Sequence, residues 1–301
     1  MRPARRLAVA ALAAALLLLP GPTPGPTALG LVRVESASAV DFGDGVVWVL
    51  AVGSDAGAGE DVDSGRADAI QLVGLDVAQR RAFAMGIPRD FYLDVPDEGM
   101  ARINVGLQRG GAELMARLVR QLTGITPQYV VTSKPSRFAD MVDAVGGLTV
   151  ESRLRFVDEE RGLTVRRGAN DFSGAEAADF AGSRRPLPRS DLDRSANHQA
   201  LLLAVLDKVR DREDEQGFIE LGATAALAGL DTNLDPTEFY RFAHAVTEID
   251  PRRVQMCVLD GAPVTRDGAL VLLPDVPRIR RLGDEVRDDA RLSRTPRPIG
   301  C

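Results

Sequence analysis

Runs of apolar residues separated by polar turns predict the strands of a central sheet. The segment "VVWVLAVG" (46–53) is almost continuously apolar, which is typical of a strand buried on both faces. Two more apolar runs, "AIQLVGL" (69–75) and "RAFAMGI" (81–87), flank a polar turn and predict a hairpin or two neighbouring strands. The remaining predicted strands are shorter and cover residues 129–132, 148–152, 254–259 and 269–273.

Helical periodicity alternates with these strands. In residues 111–124, leucines recur every four positions on one face and a glycine ends the pattern. A second helix is predicted to begin at Ser136, as its N-cap, and to end at a glycine pair (146–147). Further helices are predicted near residues 174–181, 195–211, 217–229, 236–248 and 276–288. The alternation predicts a layered α/β domain, whose central sheet is mixed because the hairpin is antiparallel.

The N-terminal sequence has the composition of a targeting segment. Three arginines in the first six residues precede an uninterrupted apolar stretch of 13 residues (7–19), and a segment rich in proline and glycine follows. A helix that spans a bilayer needs about 20 apolar residues, so this stretch favours a secretory signal sequence or a short membrane anchor over residues 1–39. The motif "ASA" (37–39) is a candidate cleavage site, and residues 40–301 are predicted to form a single exported domain.

The charge balance argues against nucleic acid as a partner. The chain has 37 basic and 43 acidic residues, which gives a formal net charge of −6. Nonspecific binding to nucleic acid needs a basic surface that displaces counterions. At 45% apolar residues, the chain has enough hydrophobic side chains for a sizeable core instead.

The two cysteines of the chain, Cys257 and Cys301, are candidates for a disulfide bond. Export to an oxidising compartment favours such a bond, which would tie the C-terminus to a predicted strand. The alternative is a pair of unrelated thiols.

Several common catalytic motifs are missing from the sequence. It contains no G-x-x-x-x-G-K-[ST] phosphate loop and no G-x-S-x-G nucleophile elbow. Two histidines, His198 and His244, are too few for a histidine-rich metal site. What remains is a series of charged or amide side chains in loops next to predicted strands: Asp55, Arg66, Asp68, Arg89, Asp90, Arg102, Asn104, Arg184, Arg185, Arg189, Asp191 and Arg194.

These side chains suit the chemistry of phosphate groups. In open α/β sheets, ligands bind in loops at the ends of strands. Two aspartates can hold a Mg²⁺ ion through oxygen ligands, and several guanidinium groups can clamp a diphosphate. Such a combination fits phosphoryl transfer, in which positioning and charge neutralisation supply most of the catalysis. For each residue alone, the simpler interpretation is a solvated surface charge.

The order of these residues along the chain resembles the LytR-CpsA-Psr family. The motifs "VGSD", "RADAI", "IPRD", "RIN", "GG", "LTGI", "MVDAVGGL" and "DLDR" occur in that family's sequence and spacing, over about residues 48–210. The resemblance implies a three-layer α/β/α sandwich with a hydrophobic groove for a lipid tail. It also implies an extracytoplasmic, membrane-attached phosphotransferase that moves a glycopolymer from a polyprenyl-diphosphate carrier to peptidoglycan. The implied partners are the polyprenyl-diphosphate-linked glycan, peptidoglycan and the membrane surface.

The same resemblance assigns roles to individual residues. It implies that Asp55 and Asp68 coordinate Mg²⁺ or Mn²⁺, and that both aspartates act in catalysis together with Arg89. The arginines that it places around the diphosphate are Arg66, Arg89, Arg102, Arg184 and Arg194. Asp90 is expected to pair with a basic neighbour and Asn104 to shape its loop.

The sequence departs from the family pattern at three positions. Where the family reads Y-x-R-x-R, this chain has "FAGSR", with Gly182 at the first arginine, and Arg185 is a candidate substitute. After "DLDR", Asn197 and His198 replace an arginine and a glutamine. His198 either donates a hydrogen bond as glutamine does or is a satisfied helix residue. Two alternatives to a transferase therefore stay open: a binding protein for polyprenyl phosphates or wall glycan without turnover, and a hydrolase of polyprenyl diphosphate.

Overall fold

The computed structural model describes residues 27–35, 37, 45–212, 215 and 230–301. Most of the predicted leader, with two residues of the "ASA" motif, lies outside the described residues, as does the helix predicted over 217–229. Among the helices of the described ranges, none combines the length and the apolar composition needed to cross a bilayer.

The described residues contain 15 strands, and every strand predicted from an apolar run is present. Seven strands form the central sheet: β1 (Leu29–Arg33), β2 (Val46–Ser54), β3 (Ala67–Asp76), β4 (Arg81–Gly86), β7 (Tyr129–Ser133), β12 (Leu230–Thr232) and β13 (Val254–Val258). The others form two-stranded ladders: β5 (Tyr92–Val95) with β6 (Gly99–Arg102), β8 (Leu148–Ser152) with β11 (Gly168–Phe172), β9 (Phe156–Asp158) with β10 (Leu163–Val165), and β14 (Gly261–Arg266) with β15 (Ala269–Pro274).

Six α-helices accompany these strands in the same part of the chain. They are α1 (Val105–Thr123), α2 (Pro135–Ala144), α3 (Gly174–Gly182), α4 (Asp191–Asp211), α5 (Pro236–Thr247) and α6 (Val276–Val286). Helix α1 is interrupted at Gly110 and Gly111, and Gly111 has a φ of 56°, so the predicted start at residue 111 marks its second segment.

Two helices begin earlier than the sequence predicted. Helix α2 begins at Pro135 with Lys134 as its N-cap, instead of being capped by Ser136, because proline suits a first turn that needs no N–H partner. Helix α4 begins at Asp191, before the predicted start at residue 195. Its first turn is polar, so the apolar periodicity that marks a helix starts only later.

The central sheet is mixed, as predicted. Its strand order is β12-β1-β7-β2-β3-β4-β13. Strands β2, β3 and β4 are antiparallel neighbours, whereas β7 is parallel to β2 and β13 is parallel to β4. Strand β1, which belongs to the segment predicted as a leader, lies between β7 and β12.

Helices cover both faces of the sheet, in the three layers that the resemblance implies. Successive side chains of a strand point to opposite faces. Along β2, Trp48, Leu50 and Val52 therefore join the apolar core beneath α1 and α6, whereas Val47 and Val49 join a second core beneath α5. A third apolar cluster lies among β8–β11, α2, α3 and α4.

The strand directions bring several chain segments to one edge of the sheet. Because β2, β4 and β7 run in the same direction, their carboxyl ends meet there, and the amino end of the antiparallel β3 lies between β2 and β4. Asp55 and Arg66 lie in the loop between β2 and β3, Asp68 lies at the start of β3, and Arg89 follows β4, so this edge holds four of the candidate site residues. At the other end of the chain, Cys301 forms a disulfide bond with Cys257 of β13.

Candidate active site

A β-bulge sets Asp68 apart from the regular ladder of β2 and β3. Gly53 pairs with Ala69 and Ser54 pairs with Ala67, so Asp68 between them is skipped in the register. Bulges bend the strand locally and often re-aim a side chain beside a functional site. Here the bulge presents the Asp68 carboxylate to arginines from two other elements.

Arg89 and Arg194 both bind the Asp68 carboxylate. Arg89, just after β4, donates from Nη1 to Asp68 Oδ1. Arg194, in the first turn of α4, donates from Nη1 to Asp68 Oδ2 at 3.3 Å and from Nη2 to the Asp68 backbone oxygen at 3.2 Å. The structure thus brings together three predicted site residues that are far apart in sequence.

Asp191 is the residue of this cluster to which the sequence analysis gave no role. Its Oδ1 atom lies 2.6 Å from Arg194 Nη2, 3.4 Å from Arg89 Nε and 3.8 Å from Arg184 Nε. The "DLDR" motif contained a usable signal, because positions i and i+3 of a helix share a face and Asp191 precedes Arg194 by three. We call Asp68, Arg89, Arg184, Asp191 and Arg194 the arginine cluster.

The turn before α4 is unusual in its backbone. Ser190 has a φ of +44°, a region that residues other than glycine seldom adopt. Its hydroxyl accepts a hydrogen bond from Arg184 Nε at 3.0 Å. Backbone strain of this kind is retained where the surrounding structure enforces it, often beside a binding site.

Asp55 and Arg66 form a pair next to the arginine cluster, across the loop between β2 and β3. Asp55 Oδ2 accepts from Arg66 Nη2 at 2.9 Å and Nε at 3.1 Å, and Asp55 Oδ1 accepts from the Arg66 backbone N–H at 2.6 Å. The Asp55 N–H donates to the Arg66 oxygen at 2.9 Å. These bonds close the loop at its base, beside the bulge.

Arg102 lies in a different environment from the other predicted diphosphate ligands. Its Nε atom lies 3.3 Å from Asp90 Oδ1, and its Nη2 donates to the Leu270 oxygen at 3.0 Å. Arg102 is therefore the basic neighbour that Asp90 was expected to have. The Asn104 backbone oxygen accepts from Ala67 N–H at 2.9 Å, which ties the loop before α1 to the start of β3.

Gly182, at the first departure from the family pattern, is covered by another arginine. A Cβ atom at this position would lie 3.1 Å from Arg161 Nε, in the turn between β9 and β10. Arg161 Nη1 in turn lies 3.3 Å from Asp158 Oδ2, and Arg161 Nε lies 3.9 Å from Asp179 Oδ1. Arg185, the candidate substitute, is 83% exposed and pairs with Glu160 instead of joining the arginine cluster.

The other two departures face inward along α4. The Asn197 side chain donates to the Phe180 oxygen at 3.4 Å, and His198 Nε2 lies 2.9 Å from the Ala181 oxygen, so both contact the end of α3. An Nε2–H that donates to a carbonyl leaves Nδ1 as an acceptor. Burial, reinforced by the positive charge of Arg194, lowers the pKa of His198 to about 4. The imidazole is therefore neutral near pH 7.

The carboxylates of the cluster stabilise the charged form of its arginines. Burial alone lowers the pKa of Arg89, but the charges of Asp68 and Asp191 outweigh it and raise that pKa above the ordinary value. Burial also lowers the pKa of Arg194, and there the nearby Arg89 adds to the lowering while Asp191 opposes it. Asp191 thus favours the charged form of both guanidinium groups.

The predicted metal ligands, Asp55 and Asp68, have the chemistry of a Mg²⁺ or Mn²⁺ site. Carboxylate oxygens are the donors these ions prefer, and the two side chains keep 28% and 30% exposure. No group of three or more histidine, cysteine or acidic side chains suited to a metal occurs in the ranges that the structure describes. The residues therefore fit a cation that takes its other ligands from phosphate oxygens and water, as Mg²⁺ commonly does.

Comparison with known proteins gives concordant matches in sequence and fold. The family model described as "LytR_cpsA_psr family" matches residues 31–288. The chain is 30% identical over 188 residues to "Probable cell wall biosynthesis protein LcpB" of Corynebacterium glutamicum, covering 58% of this chain and 45% of the relative. It is also 30% identical over 189 residues to "Polyisoprenyl-teichoic acid--peptidoglycan teichoic acid transferase TagT" of Bacillus subtilis, covering 60% of this chain and 58% of that protein. The matched segments thus span about half the length of these curated relatives.

A solved structure shares the fold. It is described as "LytR-CPS2A-psr family protein YwtF (TagT) with bound octaprenyl pyrophosphate lipid" and superposes with a TM-score of 0.63 at 20% sequence identity. The superposition covers 84% of this chain and 94% of the other. The likeness therefore extends well beyond the segment in which the sequence motifs were found.

Proposed function

Because the chain belongs to the LytR-CpsA-Psr family, we propose that it is a phosphotransferase that moves a glycopolymer from a polyprenyl-diphosphate carrier to peptidoglycan. The observation that carries the proposal is the arginine cluster, in which guanidinium groups from three segments converge on Asp68 and Asp191. Two findings on the relative TagT support it: TagT is named as a teichoic acid transferase, and a TagT structure holds octaprenyl pyrophosphate.

The net charge of the site suits a diphosphate. Four arginines (Arg66, Arg89, Arg184 and Arg194) face three carboxylates (Asp55, Asp68 and Asp191), so the site carries an excess of positive charge. The N-terminus of α4, at Asp191, lies in the same place and adds a favourable dipole for an anion. A diphosphate diester carries more negative charge than this positive excess. A divalent cation would neutralise the remainder.

The arginines would act mainly as fixed charges in the reaction. A hydroxyl group of peptidoglycan attacks the phosphorus that bears the glycan, the bond from this phosphorus to the bridging oxygen breaks, and polyprenyl phosphate leaves. The proton of the attacking hydroxyl passes to solvent. Arg89, Arg184 and Arg194 neutralise the charge that develops on the leaving phosphate, and the carboxylates keep their guanidinium groups oriented before the substrate arrives.

Asp55 and Asp68 would hold Mg²⁺ or Mn²⁺, which would supply neutralisation of the diphosphate oxygens. Their present arginine partners are well suited to an exchange, because each guanidinium group that leaves a carboxylate can pair with a phosphate oxygen. We further propose that the protein works at the outer face of the cytoplasmic membrane, where its N-terminal apolar segment acts as a signal or an anchor.

The direct test is to incubate the purified protein with Mg²⁺, a polyprenyl-diphosphate-linked glycan and peptidoglycan, and to measure glycan bound to the wall. Arg89→Gln should lower the rate about 10²–10³-fold, as loss of one preorganised charged donor does in other enzymes. Arg252→Gln is the matched control, because Arg252 is 89% exposed and pairs only with its neighbour Asp250 among the described residues; it should leave the rate unchanged.

The same assay separates the transferase from its alternatives. Cleavage of the lipid-linked glycan by water, to polyprenyl phosphate and glycan phosphate without a peptidoglycan acceptor, would identify a hydrolase. Tight retention of the lipid-linked glycan with no product, unaffected by changing Asp55 and Asp68 to Ala, would identify a binding protein. Either result would overturn the proposed transfer reaction.

A further inference from the structure

Lys134 is a buried lysine at the same edge of the sheet as the arginine cluster. It follows β7 directly, and β7 is the parallel neighbour of β2, with Ser133 opposite Gly53. Its exposure is 5%, although lysine is seldom buried to this extent unless its charge is compensated. The burial of a lysine at position 134 therefore needs an explanation.

Lys134 is also a poor residue for the helix that it precedes. It is the N-cap of α2, where side chains with an acceptor oxygen are preferred, and its own side chain makes no capping bond. A positive charge at a helix N-terminus opposes the macrodipole. Both effects make lysine unfavourable here for α2 itself.

The ammonium group of Lys134 binds the loop that carries Asp55. Nζ donates to the Glu60 oxygen at 2.6 Å and to the Gly57 oxygen at 3.3 Å. In the described part of the chain, no carboxylate lies within ion-pair distance of it, so the backbone carbonyls of one loop are the partners of this charge.

The two ends of this loop are held by other contacts, but its tip has few. At one end Asp55 bonds Arg66, and at the other the Asp61 carboxylate and the Val62 N–H bond the backbone of Thr27. Residues 57–61 are exposed, and two of them are glycines, which lose much conformational freedom when they are ordered. Within residues 57–60, the internal bonds are those between Gly57 N–H and Glu60 Oε2 at 2.7 Å and between Glu60 N–H and the Gly57 oxygen at 3.3 Å. Lys134 contacts both of these residues from the buried side.

We propose that Lys134 is a positioning residue, which fixes the loop after β2 so that the Asp55 carboxylate is held beside Asp68 for a divalent cation on the diphosphate. The proposal rests on the proposed function and deepens it, because it assigns a role in the same site to a residue outside the family motifs. Lysine suits the role because its compact ammonium reaches two carbonyl oxygens without needing a planar arrangement.

The test compares Lys134→Met, which keeps the length of the side chain but removes its donors, with Lys134→Arg, which keeps charge and donors. Lys208→Met is the matched control, because Lys208 is the other lysine of the chain and is a half-buried residue that binds one carbonyl, that of Gly146, in the last turn of α4 and away from the candidate site. The first readout is amide hydrogen exchange over residues 54–66 in the protein without metal or substrate. The second is the affinity for Mn²⁺, measured by electron paramagnetic resonance.

Lys134→Met should speed exchange in this loop about tenfold, since a hydrogen bond to a charged group is lost, while exchange in β3 and β4 stays unchanged. Mn²⁺ binding should weaken about tenfold, and Lys134→Arg should restore most of both. If Lys134→Met does not fold, Lys134→Gln serves as the uncharged, shorter variant.

Unchanged exchange and unchanged Mn²⁺ affinity in Lys134→Met, or equal effects in Lys208→Met, would overturn the proposal. So would a uniform rise of exchange across the sheet, which is the result of a merely structural role. Because neither readout needs turnover, an inactive wild-type protein with normal Mn²⁺ binding would count against the proposed function and not against the role of Lys134.

Discussion

Gly182 shows how a single residue can be dictated by a neighbour that is distant in sequence. The Arg161 guanidinium group lies over the face of α3 where a side chain at position 182 would begin. Arg161 is held there by Asp158, which is buried and whose pKa is lowered: burial alone would raise it, but a hydrogen bond from Ser183 and the charge of Arg161 outweigh burial. An arginine from a hairpin thus occupies the space into which a side chain at position 182 would extend.

Gly182→Arg is therefore expected to lower stability and not to raise activity. The new guanidinium group would meet the like charge of Arg161, at a cost of about 1 kcal/mol in the free energy of unfolding. A double-mutant cycle with Arg161→Ala, measured by urea unfolding, should show that the two substitutions are coupled. Additive effects, or a gain of transfer activity in Gly182→Arg, would contradict this account.

His198 is a second residue whose state depends on its surroundings. Burial and Arg194 keep its folded pKa near 4, whereas the ordinary value is 6.5. Between these two values the unfolded chain binds a proton that the folded protein does not. Stability should therefore be fully present above about pH 6.5 and fall as the pH decreases toward 4.

His198→Gln should make this loss of stability smaller. The histidine contributes at most about 3 kcal/mol to the change in the free energy of unfolding across that range. Urea unfolding of wild type and variant from pH 7 to pH 4.5 gives the difference directly, with the exposed His244→Gln as a control for the loss of an imidazole. Parallel pH profiles for wild type and His198→Gln would show that His198 is not the cause.

Among the secondary-structure elements, strand β1 has the most direct consequence for the N-terminal segment. It pairs with β7 over five residues and with β12 over three, inside the sheet. Leu31 is buried in the core beneath α5, Val34 is buried in the core beneath α1 and α6, and Leu29 is also buried. A mature chain that began after the "ASA" motif would lack this strand and would expose the edge of β7.

A variant lacking residues 1–39 should therefore fail to fold stably, whereas one lacking residues 1–26 should fold. Burial of three apolar side chains is worth about 5–8 kcal/mol, which is comparable to the whole stability of a domain. Circular dichroism and size-exclusion chromatography distinguish the outcomes. Equal unfolding temperatures for the two variants would show that β1 is dispensable.

At the scale of the whole molecule, the disulfide bond connects the C-terminus to the edge of the sheet. Cys301 is joined to Cys257 of β13 across 44 residues of sequence, and the Cys257 oxygen accepts from Gln199 of α4 at 2.7 Å. Because α4 also carries Asp191 and Arg194, one chain of contacts links the C-terminus to the helix of the arginine cluster.

Replacing both cysteines by serine should lower the free energy of unfolding by about 4 kcal/mol, the entropy estimate for a closed loop of this length. Denaturant unfolding of the variant should coincide with that of wild type in reductant. Wild type that is fully reduced, as measured by thiol titration, and yet equally stable would contradict the estimate.

The sequence by itself determined the layered α/β architecture and proposed most members of the candidate site. A continuous apolar run bounded by polar turns, such as residues 46–53, is typical of a buried strand, and the order of the motifs made Asp55, Asp68, Arg89 and Arg194 candidates. These features are local or depend on order along the chain, so they can be read without coordinates. The disulfide pair could also be predicted from the sequence, since two cysteines allow only one pairing.

Only the tertiary structure decided how these residues are engaged. The bulge at Asp68, the convergence of three guanidinium groups on Asp191, the arginine over Gly182 and the hold of Lys134 on the Asp55 loop all join positions from different elements. Each depends on strand register or on the packing of a helix against the sheet, and these are fixed by the whole core at once. The pattern of residues within one segment does not show which other segment packs against it in the folded protein.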